Sequence, residues 1–209
     1  MKLYDFTRAP SPRLVRIFMA EKGVEMETIQ VDLMSGEQMK PEFAAKNPWL
    51  TVPVIELDDG TCISEISACC RYLEETNPEP PLFGSDAKDK ALVEMWNHHM
   101  FQEGFMAVAE ALRNSAPPMK GRGLAGPRSF EQIPDLASRG VARIGHFMED
   151  LDARLGESKY VAGDNYSVAD ITAFVTVDFA GWVKVSPQES QTNLKRWHDE
   201  MNARPSATA

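Results

Sequence analysis

Five residues, Asn77-Pro78-Glu79-Pro80-Pro81, divide this chain of 209 residues into two dissimilar parts. Proline has no amide hydrogen and a fixed φ, so a cluster of prolines continues neither a helix nor a paired strand. Upstream of the cluster, strand-like and helix-like segments alternate. Downstream, every periodic segment is helical. The pattern predicts an α/β domain over residues 1–78, a linker over 79–86 and an all-helical domain over 87–209.

In the first part, Leu3 to Phe6 reads as a strand. Ser11-Pro12 reads as a helix start, with serine at the N-cap and proline at the first helical position. Leu14, Ile17 and Phe18 follow at helical spacing, and Gly23 is the expected C-terminal cap. Met26 to Asp32 suits a second strand, and Glu37 to Lys46 a short helix interrupted by Pro41. Pro53 to Leu57 is a third strand. Asp59-Gly60 signals a two-residue hairpin turn, with Thr61 to Ile63 returning. Ser64 then caps a helix that ends near Thr76. A right-handed βαβ crossover followed by a hairpin requires a mixed sheet, the thioredoxin-like arrangement.

The second part opens with a helix over 87–114 carrying Leu92, Met95, Trp96, Phe105, Val108 and Leu112. A long loop rich in proline and glycine covers 115–134, and a helix covers 135–155. Ser167-Val168-Ala169-Asp170 opens another helix with a capping-box variant, and 193–203 closes the chain.

A formal net charge of −9, with no dense Lys/Arg run, argues against nucleic acid as a partner. The apolar stretches fall short of a membrane span. Met1-Lys2-Leu3-Tyr4-Asp5 does not read as a signal peptide. The expectation is a cytoplasmic protein without a membrane anchor. Cys62, Cys69 and Cys70 are odd in number and form no C-x-x-C pair, so they read as small apolar side chains rather than a disulfide framework. His98 and His99 are adjacent and point about 100° apart on a helix. His146 and His198 lie far off in sequence, and no metal site is expected.

Three features of the first part bear on chemistry. Ser11 sits at a helix start directly after strand one, where backbone amides and the helix dipole favour an anion. Its hydroxyl can accept from a helix N–H and still donate to a thiolate. Val52-Pro53 precedes the third strand, and a cis bond there would leave the Val52 backbone extended, ready to pair with a peptide. Ser64-Glu65-Ile66 offers amides to a carboxylate and a carboxylate to an amine. A small peptide with a central thiol and terminal carboxylates fits all three, and glutathione is such a molecule.

The segments VRIFMAEKG (15–23), NPWLTVPVIELDDGT (47–61), SEISACCRYLEE (64–75), YVAGDNYSVADITAF (160–174) and LKRWHDEMNARPS (194–206) resemble the cytosolic glutathione transferases over essentially the full chain. The resemblance implies a thioredoxin-like domain, a helical domain and a homodimer that uses glutathione as co-substrate without a metal. It places Val52 and Pro53 on the cysteinyl unit and Glu65 at the γ-glutamyl end, with Ile66 contributing only its backbone amide. Gln38, with Lys40 as a nearby alternative, falls at the glycyl carboxylate. Ser11 becomes the thiolate stabiliser, as in bacterial-type members. Tyr4, inside a strand, is set aside for that role. Pro10, His99, Glu103 and Met106 become candidates for the electrophile pocket. The implied activity is attack of the glutathione thiolate on a small hydrophobic electrophile. Peroxide reduction, isomerisation or disulfide reduction on the same fold, or a non-catalytic binding module, are the alternatives.

Overall fold

The computed structural model of the protein describes all 209 residues. They group into two compact units. The first comprises Met1–Pro80 with Leu124–Ser129 and Thr208–Ala209, and the second Pro81–Gly123 with Phe130–Ala207. The division falls between Pro80 and Pro81 rather than across a free linker. Leu82, Phe83 and Gly84 are buried, and the Leu82 carbonyl accepts from Val168 N–H at 2.9 Å, so 81–86 belongs to the helical unit.

The first unit runs β1 (Lys2–Asp5), α1 (Pro10–Lys22), β2 (Glu27–Gln30), a 3-10 turn (Glu37–Met39), α2 (Pro41–Ala44), β3 (Val54–Glu56), β4 (Cys62–Ser64) and α3 (Ile66–Thr76). The sheet order is β2-β1-β3-β4, parallel between β1 and β2 and antiparallel elsewhere, which is the mixed thioredoxin-like sheet. Successive strand residues face opposite sides. Tyr4 and Val54 join Val31, Phe43 and Val52 in a cluster on one side. Leu3 and Ile55, both fully buried, alternate with them. The helices α1 and α3 pack against each other. Gly23 adopts φ 63°, and the cap bonds Gly23 N–H to Ala20 O and Val24 N–H to Met19 O end α1 as its sequence predicts.

Three local expectations change. Helix α1 begins two residues earlier: Ala9 is the N-cap, and Pro10 rather than Pro12 takes the first helical position. Ser64 ends β4 instead of capping α3; Glu65 occupies that cap. The hairpin holds three residues, not two. Gly60 N–H bonds to Leu57 O and Leu57 N–H to Thr61 O, and of the turn residues Gly60 alone has positive φ, at 86°. This is a type I turn closed by a left-handed glycine, whereas the two-residue type I′ turn needs positive φ at both central residues.

The second unit contains α4 (Ala87–His99), a π-helical segment (Met100–Phe105), α5 (Met106–Ser115), α6 (Pro134–Glu157), α7 (Val168–Ala180) and α8 (Thr192–Asn202). The α7 helix is buried on nearly every side, which explains its lack of an amphipathic pattern. Its capping box forms as the sequence predicts, with Ser167 N–H bonded to Asp170 Oδ2 at 3.1 Å. Residues 115–134 are less irregular than their composition suggests. They hold a 3-10 turn at Pro117–Met119 and an Arg122–Phe130 bridge. Gln132 Nε2 fastens them to the carbonyls of Arg113 and Ala116.

Candidate functional site

The register of the first unit brings four chain segments to one end of its sheet. Asp5, ending β1, pairs with Gln30, ending parallel β2. Tyr4 pairs with Val54, the first residue of β3, and Val54 pairs with Ser64, the last of β4. The start of α1, the segment after β2, the chain entering β3 and the start of α3 therefore all leave the sheet at this end. Ser11, Gln38 and Lys40, Val52 and Pro53, and Glu65 and Ile66 belong to these segments.

Buried polar side chains fix the connecting loops. Asp5 Oδ1 accepts from Arg16 at 2.5 Å, and its Oδ2 accepts from Gln30 Nε2 at 2.7 Å. Gln30 Oε1 in turn takes the Thr7 amide and hydroxyl, while Arg16 holds the Thr7 carbonyl. This network sets the path from β1 into α1. Asn47 does the same for the loop before β3: its Nδ2 donates to Thr51 O at 2.8 Å and its Oδ1 accepts from Trp49 N–H at 3.0 Å. Leu50 in that loop adopts φ 58°.

Ser11 is half-buried at the second position of α1, and its hydroxyl has no partner within the chain. The flanking prolines alter the expected amide cradle. Pro10 and Pro12 carry no N–H, and Arg13 N–H reaches Ala9 O at 3.4 Å. The first turn thus offers one unpaired amide, that of Ser11, beside the Ser11 hydroxyl. Val52 is 7% exposed, yet neither its backbone N–H nor its carbonyl is hydrogen-bonded within the chain. The Val52–Pro53 peptide is cis.

Glu65 is exposed at φ 71°, ψ 132°, a conformation that costs a non-glycine residue about 1–3 kcal/mol. It points the chain into α3, whose first-turn amides at Ile66 and Ser67 have no helical partners. Ser67 is exposed and its hydroxyl is unpaired. It supplies a polar group that the sequence reading, fixed on Ile66, missed; a serine at the second position of a capped helix was the available signal.

The 3-10 turn behaves differently. Lys40 is exposed, but Gln38 is turned inward. The Tyr4 hydroxyl donates to Glu56 Oε2 at 2.6 Å, and Lys46 donates to Glu56 Oε1 at 2.9 Å. Burial, then the bond to Glu56, pushes the Tyr4 hydroxyl pKa up; the same bond and Lys46 hold the Glu56 carboxyl down. Tyr4, Lys40, Phe43 and Lys46 line a cavity of about 310 Å³ beside β2. Burial also raises all three thiols, Cys69 to about 12, so none is a ready thiolate.

On the second unit, His99 and Glu103 line one cavity of about 470 Å³ with Met95, Trp96, His98 and Gln102. Met106, 38% exposed, is not among its walls. Pro10 is a half-buried residue of the first unit. The cavity spans the junction of α4 with the π-helical segment, an irregularity common at functional sites. Arg143 secures that segment through Gln102 O at 2.7 Å and Glu103 Oε2 at 3.2 Å, and also binds Glu110 Oε2 at 3.1 Å.

Comparison with known proteins bears on what this arrangement serves. Residues 10–76 match the family of the glutathione S-transferase N-terminal domain, and residues 132–205 that of the C-terminal domain. The chain is 36% identical over 208 residues to glutathione S-transferase 2 of Saccharomyces cerevisiae, covering 99% of this chain and 87% of that protein. Among solved structures, Gtt2 of Saccharomyces cerevisiae superposes with a TM-score of 0.91 at 35% identity, over 99% of this chain and 98% of that one. A glutathione S-transferase domain-containing protein from Marinobacter aquaeolei gives 0.90 at 36% identity, over 99% of both chains.

Proposed function

We propose glutathione-thiolate transfer as the activity, from the premise that this chain belongs to the glutathione S-transferase family. One observation carries the reading most directly: unpaired hydrogen-bonding groups at a single end of the sheet. They are the Ser11 hydroxyl, the Val52 backbone and the first turn of α3.

A tripeptide lying along Val52 gains backbone pairing as a short added strand. Its γ-glutamyl carboxylate takes the amides of Ile66 and Ser67, and its amine takes Glu65. Its glycyl carboxylate falls to Lys40 and Gln38. The central sulfur then sits at Ser11. A thiol of pKa about 8.5 is only about 3% ionised at pH 7. Lowering that pKa by about two units requires roughly 2.7 kcal/mol of preference for the anion. A hydrogen bond from Ser11 Oγ to a charged sulfur contributes about 1.5–3 kcal/mol. A helix terminus adds about 0.3–1 kcal/mol; here it acts through the one Ser11 amide, so the hydroxyl carries most of the effect. Cys62, Cys69 and Cys70, their thiols raised, take no part.

The thiolate attacks a small hydrophobic electrophile, for which His99 and Glu103 supply polar contacts and Met95 and Trp96 apolar ones. Met106 of the same unit lies outside that cavity's walls and is a further candidate contact for the electrophile. We take the working species to be a cytoplasmic homodimer, which sedimentation of the purified protein tests. Ser11→Ala should raise the pKa of bound glutathione toward its free value and slow conjugation of an aryl halide. An ultraviolet titration of the thiolate that does not move in the variant would remove Ser11 from the role.

A further inference from the structure

Arg16, Arg143 and Arg154 are half-buried, and each has an acidic partner: Asp5 for the first, Glu103 and Glu110 for the second, Glu157 for the third. Arg113, in the last turn of α5, is also half-buried but has none. One of its five N–H groups is used: Nη1 donates to the Arg122 carbonyl at 3.1 Å. The Arg122 side chain, half-buried as well, bonds to nothing in the chain. Desolvation, then the like charge of Arg122, pulls the Arg113 pKa below its ordinary value. A desolvated cation facing a second cation is costly unless an anion joins them.

The neighbouring groups of the chain do not supply that anion. Residues 111–123 include Arg113, Lys120 and Arg122 and no acid, although the net charge of the protein is −9. Glu110, one turn back on α5, gives Oε1 to Arg139 and Oε2 to Arg143. The Glu131 carbonyl lies 2.8 Å from where a Gly123 Cβ would stand, but its exposed carboxylate pairs with no cation. The negative end of the α5 dipole favours a cation, yet the carbonyls there already have donors. Gln132 Nε2 holds those of Arg113 and Ala116, Ser115 Oγ that of Ala111, Asn114 Nδ2 that of Glu110, and the Ala116 amide that of Leu112.

The segment beside Arg113 is tied down. Arg122 N–H bonds to Met119 O at 2.8 Å, Gly123 N–H to Phe130 O at 2.9 Å, and Phe130 N–H to Gly121 O at 3.1 Å. These bonds hold the Arg122 carbonyl on the Arg113 guanidinium and so orient the N–H groups that remain. A guanidinium presents paired donors that match two oxygens of a carboxylate or a phosphate. We propose that Arg113 and Arg122 form a binding site for the oxyanion of a small molecule, a carboxylate or a phosphate group. The Arg113 fork grips its oxygens, and the Arg122 side chain supplies the second positive charge. Lys120, exposed in the same segment, attracts the ligand at longer range. Both arginines belong to the second unit, and the inference holds whether or not glutathione is the thiol substrate.

Calorimetry with inorganic phosphate, and thermal unfolding in phosphate or chloride of equal ionic strength, test it. Phosphate should bind the wild type saturably and raise its unfolding midpoint above the chloride value. Because phosphate also stabilises proteins generally, by exclusion from their surface, two variants carry the decision. Arg113→Met keeps an apolar stem without the charge and should lose both the binding and the excess rise. Arg122→Gln leaves the backbone carbonyl that holds Arg113 in place and should weaken phosphate binding about tenfold. If Arg113→Met does not fold, Arg122→Gln decides alone. Benzoate and phenyl phosphate, titrated in the same way, distinguish a carboxylate-bearing ligand from a phosphate-bearing one; saturable binding of either that the variants weaken supports the site. No saturable binding of any of the three to the wild type, or equal binding to wild type and variants, overturns it.

Discussion

At the scale of single residues, the site depends on positions that are poorly stable by themselves. Glu65 holds a backbone conformation that glycine adopts freely and glutamate does not. Its carboxylate bonds to no residue of the chain that would offset this strain. Glu65→Gly should therefore raise the unfolding free energy by about 1 kcal/mol, strain relief outweighing glycine's larger entropy loss. The same change should weaken glutathione binding by removing the group that meets the ligand's amine. Denaturant unfolding and calorimetry on the two proteins check both halves; a less stable variant would show that the conformation is not strained. The sequence points to Glu65 as a candidate contact but assigns the helix cap to Ser64, whereas Glu65 itself holds the cap. Serine is the better cap by local chemistry, and only the pairing of Ser64 with Val54 in the sheet removes it from that position. Ser11 shows the same limit. Prolines on both sides make either Pro10 or Pro12 a valid first helical residue, and the choice rests on Asp5, Arg16 and Gln30 fixing the preceding loop.

At the scale of elements, helix periodicity was legible over 87–114, but the π-helical segment within it was not. Adding one residue to a turn leaves the apolar spacing on both sides intact, so the pattern registers one continuous helix. The cause lies in packing. A Cβ on Gly104 would stand 2.6 Å from Phe147 Cε2 and 2.8 Å from Thr176 Cγ2, so this residue is where the segment meets α6 and α7 most closely. Arg143, on α6, also binds the Gln102 carbonyl and Glu103. Gly104→Ala should cost about 1–3 kcal/mol through overpacking, since both neighbours are buried ring or branched carbon. It should also disturb the cavity lined by His99 and Glu103. Urea unfolding together with the KM for the electrophile measures the two effects; a loss below about 0.5 kcal/mol would mean that the three helices separate at little cost.

At the scale of the whole molecule, the break near Pro80 and the capping box of α7 were both legible, because each depends on chemistry within a few residues. The tethering of 115–134 was not, since it runs from Arg113 to Gln132 across the loop. The capping box also extends beyond its local role. Asp170 is fully buried and accepts from Val161 N–H at 2.9 Å, Ser167 N–H at 3.1 Å and Trp197 Nε1 at 3.1 Å, joining α7 to α8 and to the chain before it. Burial pushes its carboxyl from the ordinary 3.8 up to about 6, against the pull of these donors. Folding therefore takes up a proton between those two values. The stabilisation is complete below about pH 4 and is lost as pH rises through 6, a difference of about 3 kcal/mol for a shift of about two units. Asp170→Asn removes this titration and also turns an NH₂ group toward N–H donors, so it should be the less stable protein throughout. The stability gap between wild type and Asp170→Asn should narrow by up to about 3 kcal/mol between pH 4 and 7. Tryptophan fluorescence during urea unfolding can follow it, since Trp197 lies buried against Asp170. A gap that stays constant or widens across that range would mean that the donors outweigh burial and that Asp170 remains ionised in the folded protein.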